Sequence, residues 1–323
     1  MLDTDKKMAM IAKIASLYYE SGKTQQDIAD EVGIARTMVS RFLNEAREKD
    51  IVRFIVRYPW TSEELEQELI ARFGLKSARV IVAVEDLDKD ALSLLGLVAA
   101  RFLEETLTET SIVGISWGTA LYRMIECLNM QKLPDVEIVQ LIGATGSERN
   151  LYDGPLLAQL LAERLHCKSS LLHAPLIVNS GEVRDALLQD QHISHVLGKA
   201  TAVDIALIGI GALDPEYSLL RTGYVTMEEM NRIIDVGGYG DICARHFSKD
   251  GQELNTELSR RTIGISLSTL KKIETVIAVA GGQKKAKAIW GALQGGYMNV
   301  LITDHAAAFE ILRLDDEARK AVR

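Results

Sequence analysis

Three segments of the 323-residue chain place glycines and hydroxyl or lysine side chains directly after a short apolar run. Glycine allows the backbone to approach a bound group closely, and the first turn of a helix that follows offers N–H groups without intrahelical partners. Hydroxyl groups add hydrogen bonds and lysines add positive charge. This combination suits an anionic or polyhydroxy ligand. The segments are GISWGTALYRM at 114–124, QLIGATGSERN at 140–150 and VAGGQKKAKAIWGAL at 279–293.

Each segment alone is a weak signal, because turns from strand to helix are often rich in glycine for steric reasons. Three of them in one chain favour a ligand site. Asp241, in GGYGDICARHF, adds a carboxylate for sugar hydroxyls, and Arg221, in RTGY, adds a second contact for an anion. A surface-turn aspartate and a solvated arginine are the ordinary alternatives. The polar and glycine positions of the three segments are Gly118, Thr119, Gly143, Thr145, Gly146, Ser147, Gly281, Gly282, Lys284, Lys285 and Lys287.

Residues 24–44, TQQDIADEVGIARTMVSRFLN, have the spacing of a helix-turn-helix. Two helices cross closely where the contact residue is small, as Ala29 is, and Gly33 four positions later suits a turn with positive φ. Polar side chains on the outer face of the second helix would then reach base edges and phosphates. We expect DNA contacts from Gln25, Gln26, Arg36, Thr37, Met38, Ser40, Arg41 and Asn44.

Two other patterns rank lower. Ser116, with a glycine two positions to either side, matches the GxSxG spacing of a hydrolase nucleophile elbow, and Asp241 with His305 would complete a triad. Short motif matches of this kind are often false positives. His192 and His195 are spaced i, i+3, and without further Cys or His nearby a helix-surface pair is favoured over a metal site. The sequence therefore predicts no catalytic residue, no metal and no other cofactor.

From Ala78 onward, short runs rich in β-branched residues alternate with helical segments. This alternation predicts an α/β domain with a doubly wound, largely parallel sheet that is covered by helices on both faces. The predicted strands are 80–84, 111–116, 136–143, 203–211, 275–282 and 299–304, and the predicted helices between them include 91–105, 118–128, 155–165 and 284–293.

The N-terminal part is predicted to be a separate, mainly α-helical module. Apolar residues recur at helical spacing over 8–21, Thr24 suits the N-cap of the next helix, and 51–56 has the pattern of a strand that could form a wing. A further helix with one apolar stripe follows at 61–74, and its packing on its own C-terminal domain or on a second subunit is left open. The expected divisions are a winged-helix-like domain at 1–58, a linker helix at 59–77 and the α/β domain at 78–323.

The net charge of −8 is unevenly distributed along the chain. Residues 1–60 contain ten Lys and Arg against nine Asp and Glu, whereas the remainder contains 27 against 36. The acidity therefore lies outside the part that is expected to read DNA. It does not exclude DNA binding, but it argues against strong, indiscriminate binding.

Three cysteines, Cys127, Cys167 and Cys243, are far apart and form no CxxC pair, which fits a reducing cytoplasm. No uncharged apolar run approaches the roughly 18 residues that a membrane span needs. The N-terminus lacks the pattern of a secretion signal. We expect a cytoplasmic protein without membrane contact.

A set of segments occurs in a fixed order over nearly the whole sequence. They are LYYESGKTQQDIADEVGIARTMVSRFLNEAREKDIVRF, GISWGTALY, GIGAL, RTGY, GDICARHF, RTIGISL and VAGGQKKAKAIWGALQGGYMNVLITD. In this order they resemble the SorC family of bacterial transcriptional regulators. The resemblance implies a helix-turn-helix domain and a C-terminal domain similar in fold to sugar-phosphate isomerases and glucosamine-6-phosphate deaminase. It also implies a homo-oligomer, dimer or tetramer, under the control of a sugar or sugar phosphate.

The resemblance also assigns positions to the effector site. Some relatives have a lysine where this chain has Ile142, directly before the glycine of the second segment, so covalent capture of an aldehyde as a Schiff base is not expected here. Arg221, in RTGY, is included among the expected effector residues as a second contact for an anion. The effector residues expected on these grounds are Ser116, Trp117, Gly118, Thr119, Gly143, Ala144, Thr145, Gly146, Arg221, Asp241 and Lys285.

The leading hypothesis is a transcriptional regulator of a carbohydrate operon that binds double-stranded operator DNA and responds to a sugar or sugar phosphate. The alternative is an active sugar-phosphate isomerase or deaminase on the same sheet. Such an enzyme needs a positioned base and a ring-opening acid. The sequence nominates only Asp241 with His246 or Lys285 for these roles, and the non-enzymatic hypothesis is preferred.

Overall fold

The structure, a computed structural model, describes residues 2–49, 51–52, 61–82, 90–146 and 152–322. The chain divides into two compact units, Met1–Pro59 and Trp60–Arg323. Each unit has a hydrophobic core of its own.

The described residues of the N-terminal unit form three helices: α1 (Leu2–Tyr19), α2 (Gln25–Val32) and α3 (Arg36–Glu48). Thr24 caps α2 in a capping box with Asp27, as expected, and Gly33 ends α2 in the left-handed region with φ of 73°. The predicted strand at 51–56 is not seen at its start, where Ile51 and Val52 form a bend, and its other residues lie outside the described part. The three helices bury Ile11, Ile14, Ala15, Ile28, Ala29, Val39, Phe42, Leu43 and Ala46.

The described residues of the second unit contain seven parallel strands in one sheet and a separate two-stranded hairpin. The strands are β1 (Ser77–Ile81), β2 (Ile112–Ile115), β3 (Glu137–Gln140), β4 (Lys168–Ser170), β5 (Ile205–Ile208), β6 (Gly238–Ile242), β7 (Arg245–Ser248), β8 (Thr275–Val279) and β9 (Val300–Asp304). The sheet order is β1-β9-β8-β5-β2-β3-β4, and the hairpin pairs β6 with β7. The sequence prediction missed the short β4 and the hairpin.

The sheet is covered on both faces, which makes this an α/β unit. Ile205 and Leu207 of β5 enter one core, whereas Ala206 and Ile208 enter the other, because successive side chains of a strand point to opposite faces. The helices are α4 (Glu63–Phe73), α5 (Ala91–Thr106), α6 (Thr119–Cys127), α7 (Gly154–Leu165), α8 (Gly181–Leu188), α9 (Gln191–Ala200), α10 (Ser218–Arg221), α11 (Met227–Asp235), α12 (Glu257–Arg261), α13 (Leu267–Leu270), α14 (Ala286–Gln294) and α15 (His305–Val322). A 3₁₀ turn at Gln283–Lys285 precedes α14.

The strand order reverses between β2 and β5. From β2 the chain proceeds to β3 and β4 in one direction, and from β5 it proceeds to β8 and β9 in the other. Connections therefore leave the carboxyl ends of β2 and β5 toward opposite sides, and a crevice remains between them. In open α/β sheets, ligands bind at this switch point.

Helix α4 packs within its own unit. Leu69 is buried in the core beneath β1, and the Glu66 carboxylate accepts a hydrogen bond of 3.0 Å from the Val80 N–H. Arg72 forms ion pairs with Asp315 at 3.4 Å and Asp316 at 2.5 Å on α15. These contacts place α4 on its own C-terminal domain.

Gly114 of β2 tests how closely the sheet is packed, because a Cβ built there would lie 2.5 Å from Leu141 Cδ2. We expect Gly114→Ala to lower the free energy of unfolding by about 1–3 kcal/mol, since the buried Leu141 must shift. Gly198→Ala is the matched control, because Gly198 is exposed within α9 and has no atom within 4 Å of an added Cβ. It should raise stability by about 0.5–1 kcal/mol. Urea unfolding followed by circular dichroism measures both, and shifts of the same sign would contradict this account.

Candidate functional site

A cavity of about 50 Å³ lies at the carboxyl ends of β2, β5 and β8, where the strand order reverses. Five of the expected effector residues line it. The sequence did not nominate the residues after β5, or Ser218 and Cys243. The lining consists of Trp117, Gly118, Thr119, Ala120, Leu121, Gly209, Ile210, Gly211, Ser218, Asp241, Cys243, Val279 and Lys285.

Asp241 is the buried carboxylate of this cavity, with 5% of its surface exposed. The hairpin strand β6 brings it there, because Asp241 and Gly211 exchange two backbone hydrogen bonds of 3.0 Å. A Cβ on Gly211 would lie 1.9 Å from Asp241 Oδ1, so position 211 must be glycine. The other oxygen, Oδ2, accepts a hydrogen bond of 3.1 Å from the Ala244 N–H.

Lys285 faces the same cavity from the 3₁₀ turn after β8. Burial raises the pKa of Asp241 to about 6, opposed by the Ala244 N–H and by the charge of Lys285. Burial also lowers the pKa of Lys285, opposed by the charges of Asp241 and Asp214. A carboxylate that can accept hydroxyl hydrogen bonds thus lies opposite an ammonium that can bind an anion.

The start of α6 adds backbone donors. Gly118 precedes the helix with φ of 123°, in a conformation that favours glycine, and its N–H donates to the Tyr152 carbonyl at 3.1 Å. The next three residues line the cavity and belong to the first turn of α6, where N–H groups have no intrahelical acceptor. A helix N-terminus of this kind favours a phosphate or a carboxylate.

The turn of the β6–β7 hairpin is unusual, because Cys243 and Ala244 both have positive φ, 55° and 58°. Two-residue hairpin turns with this backbone normally contain Asn-Gly or Asp-Gly. The bond from Ala244 to Asp241 holds the turn in place. Burial raises the pKa of the Cys243 thiol to about 12, which disfavours the thiolate at neutral pH.

Ser116 does not reach the cavity as a nucleophile would. It is 1% exposed, and its N–H donates to the Leu207 carbonyl at 3.0 Å, which continues the pairing of β2 with β5. A nucleophile elbow needs an exposed serine. The burial of Ser116 therefore argues against the hydrolase interpretation. The first glycine of the GxSxG pattern, Gly114, is explained by packing, because it makes room for Leu141.

The second segment, 143–146, lies after β3 and is held by backbone contacts. A Cβ on Gly143 would lie 2.4 Å from the Pro175 carbonyl oxygen, and Ala144 forms a β-bridge with Pro175. The Thr145 N–H donates to the Asp153 carboxylate at 2.9 Å, and the Tyr224 hydroxyl donates to the Thr145 carbonyl. Gly146, which is next in the chain, has φ of 62°. These residues do not line the cavity, and their role in binding stays a prediction.

Three further positions can be placed. Ile142 is buried, which agrees with the absence of a reactive lysine there, and Ser147 lies outside the described residues. Arg221 is exposed at the end of α10, the short helix whose first residue, Ser218, lines the cavity. His246 is buried, and its Nε2 lies 2.9 Å from the Tyr217 hydroxyl.

The outer face of α3 carries the residues that were expected to contact DNA. Arg36, Thr37, Met38, Arg41 and Asn44 are exposed, and Ser40 is half-buried. On α2, Gln26 is exposed and its amide donates to Asp30, while Gln25 is half-buried. The opposite face of α3 is in the core. The helix thus presents Arg36 and Arg41 on an outer face that is mostly polar and includes one exposed methionine, Met38.

No cluster of three or more His, Cys, Asp or Glu side chains in the described part of the chain has a metal-binding arrangement. None of the helices there has the length and hydropathy of a membrane-spanning segment.

A family model described as "Putative sugar-binding domain" matches residues 59–313. The deoxyribonucleoside regulator of Bacillus subtilis is 34% identical over 95% of this chain and 98% of that protein. The sorbitol operon regulator of Klebsiella pneumoniae is 32% identical over 97% of this chain and its own full length. This chain belongs to the SorC family of transcriptional regulators.

Solved structures agree with this membership. The crystal structure of the full-length SorC regulator from Klebsiella pneumoniae matches with a TM-score of 0.76 at 33% identity, over 94% of this chain and 98% of that one. A DeoR family transcriptional regulator from Listeria monocytogenes matches with a TM-score of 0.71 at 30% identity, over 77% of this chain and 98% of that one. These SorC-family relatives are named as regulators and not as enzymes.

Asp241 and His246 should have opposite effects on stability between pH 4 and 6.5. The folded protein retains the Asp241 proton up to about pH 6, above the ordinary value of 3.8, so this stabilisation is present at low pH and is lost as pH rises. Burial lowers the pKa of His246 from 6.5 to about 4, so its contribution is lost as pH falls through this range. Each amounts to about 3 kcal/mol, and together they nearly cancel.

Single substitutions should separate the two effects. Relative to wild type, we expect the unfolding free energy of Asp241→Asn to rise with pH across this window and that of His246→Gln to fall. Urea unfolding at half-unit pH steps measures both slopes. Asp185→Asn, at an exposed carboxylate on α8, is the control and should follow wild type. Parallel curves for all four proteins would show that neither buried group titrates as described.

Proposed function

We propose that this protein is a cytoplasmic, DNA-binding regulator of a carbohydrate-utilisation operon, and that a sugar or sugar phosphate in the α/β unit controls its operator affinity. The observation that carries the proposal is the meeting of Asp241, Lys285 and the α6 N-terminus at the switch point of the sheet. Relatives over nearly the full chain are named for the deoxyribonucleoside and sorbitol systems, which supports an effector with several hydroxyl groups.

The chemistry of the cavity supports a sugar phosphate in particular. The Asp241 carboxylate can accept hydrogen bonds from two hydroxyls, and the Lys285 ammonium with the α6 amides can bind a phosphate. The remaining lining combines glycines and apolar side chains with the hydroxyls of Thr119 and Ser218, which can add hydrogen bonds to the ligand. We propose that Gly143, Ala144, Thr145, Gly146 and Arg221 bind at the margins of the same ligand.

Control of operator affinity by an effector requires two arrangements of the effector site. A ligand that binds one arrangement of the lining more tightly than another shifts the equilibrium between them by that difference.

The polar face of α3 supports the DNA-binding role. In a helix-turn-helix formed by α2 and α3, Arg36 and Arg41 lie on the exposed face of the second helix, where guanine edges and phosphates are read. One chain presents one such helix. We propose a dimer or tetramer, so that two copies of α3 meet half-sites about 34 Å apart or a multiple of that distance.

Gel-shift measurements on the DNA upstream of the protein's own gene test the two roles separately. We expect Arg41→Ala to weaken operator binding by about 1–3 kcal/mol, because one base contact is lost, without changing effector affinity. Lys285→Met should retain operator binding and lose the response to 2-deoxyribose 5-phosphate, sorbitol 6-phosphate or whichever sugar phosphate shifts wild type. Lys284→Ala, at the exposed neighbour, is the control. Equal affinity for unrelated DNA would rule the proposal out.

A further inference from the structure

We propose that Asp304 is the positioning residue of the effector site: its carboxylate fixes the turn that carries Lys285 and joins this turn to the start of α15. The effector-binding role of Lys285 rests on the proposed function, whereas the placement of Lys285 by Asp304 does not. Asp304 ends β9 and is not among the residues that line the cavity. It acts through Lys285.

The two oxygens of Asp304 have different partners. Oδ2 accepts a hydrogen bond of 2.5 Å from the Gly282 N–H, and Oδ1 accepts one of 2.9 Å from the Ala307 N–H in the first turn of α15. The Gly282 carbonyl in turn accepts a hydrogen bond of 2.9 Å from the Lys285 N–H. A continuous series of bonds therefore runs from Asp304 to the backbone of Lys285.

The two glycines of this turn are explained by Asp304. A Cβ on Gly281 would lie 2.3 Å from Asp304 Oδ2, so a side chain at 281 would displace the carboxylate. Gly282 has φ of 92°, which other residues rarely adopt. A Gly-Gly pair before a helix suggests close approach of a ligand, but here it accommodates an aspartate from the neighbouring strand.

The other end of the connection is α15. The Asp304 carboxylate lies at the N-terminus of this 18-residue helix, where a negative charge is favourable. Further along, Asp315 and Asp316 pair with Arg72 of α4, the first helix of the second unit. A displacement of the Lys285 turn by a bound effector would therefore reach the start of α15 through the Asp304 carboxylate.

The position of Lys285 can be measured without an effector. In the full-length protein, lysines are reductively methylated with ¹³C-formaldehyde, and the Lys285 signal is assigned by its loss in Lys285→Arg. In wild type it should titrate below the range of exposed lysines, because burial lowers its pKa. In Asp304→Ser and in Gly281→Ala it should move toward that range.

Asp304→Ser separates positioning from helix stability. Serine is a good N-cap and can retain the bond to Ala307, but with one short hydroxyl it cannot also hold Gly282. Gly281→Ala disturbs the same carboxylate from the opposite side and leaves Asp304 in place. The matched control is Asp316→Ser, an exposed carboxylate on the same helix, which should leave the Lys285 signal unchanged.

Calorimetric titration with 2-deoxyribose 5-phosphate and sorbitol 6-phosphate provides the second readout. For a probe that binds wild type, Asp304→Ser should bind about 5-fold more weakly or worse, since a hydrogen bond to a charged group is lost from the support of Lys285. Asp304→Asn, which retains one acceptor, should recover part of the affinity. If no sugar phosphate binds wild type, the proposed function fails while the Lys285 signal still tests the positioning role. An unchanged Lys285 titration in both folded variants overturns that role.

Discussion

The burial of the Asp241 carboxyl at the carboxyl ends of β2 and β5 is the constraint on which the rest of the site depends. Removing a charged group from water is costly unless the protein supplies partners for it. Three features supply them. The strand β6 pairs with Gly211 and delivers the side chain, the Ala244 N–H donates to it, and Lys285 provides a compensating charge. Each feature constrains the structure locally. The pairing of β6 requires a glycine at position 211, the Ala244 N–H requires a hairpin turn with positive φ, and the compensating charge requires a half-buried lysine.

The sheet accommodates these features because it leaves space for them at the carboxyl ends of its strands. A reversal of strand order leaves one crevice between β2 and β5, and the hairpin of β6 and β7 closes part of it from outside the main sheet. Strained or desolvated groups persist where the surrounding structure over-determines them, and they are concentrated at functional sites. If Asp241 and Lys285 served stability alone, the folded protein would be more stable with the two side chains in direct contact, or with apolar side chains in their place.

The sequence predicts most strands of the main sheet, but it does not predict the hairpin that brings Asp241 to the cavity. Short apolar runs between helical segments correctly identified six of the seven strands in the sheet. Both faces of those strands are buried, so their sequences are largely apolar. Lys168–Ser170 was missed since it is short, polar and at the edge. The turn at Cys243 and Ala244 was missed because neither residue type signals positive φ.

The glycines also show how far a prediction from sequence can go. Glycine reports that a side chain is not tolerated, but not what occupies the space. Gly281 makes room for Asp304, Gly211 for Asp241, and Gly114 for Leu141. Only contacts between residues distant in sequence distinguish these cases, and local pattern contains no information on them.

The geometry also indicates why this sheet suits regulation. An enzyme of this type needs a base and an acid that reach a bound substrate. Here His246 is buried against Tyr217, burial raises the pKa of the Cys243 thiol, and among the described residues only Asp241 and Lys285 present charge to the cavity. Two charges of fixed position can recognise a ligand without catalysing a reaction. A coupling of about 1–3 kcal/mol between effector binding and a second surface is sufficient for an allosteric response, and the bonded turn between Lys285 and α15 connects the cavity to another element of the same unit.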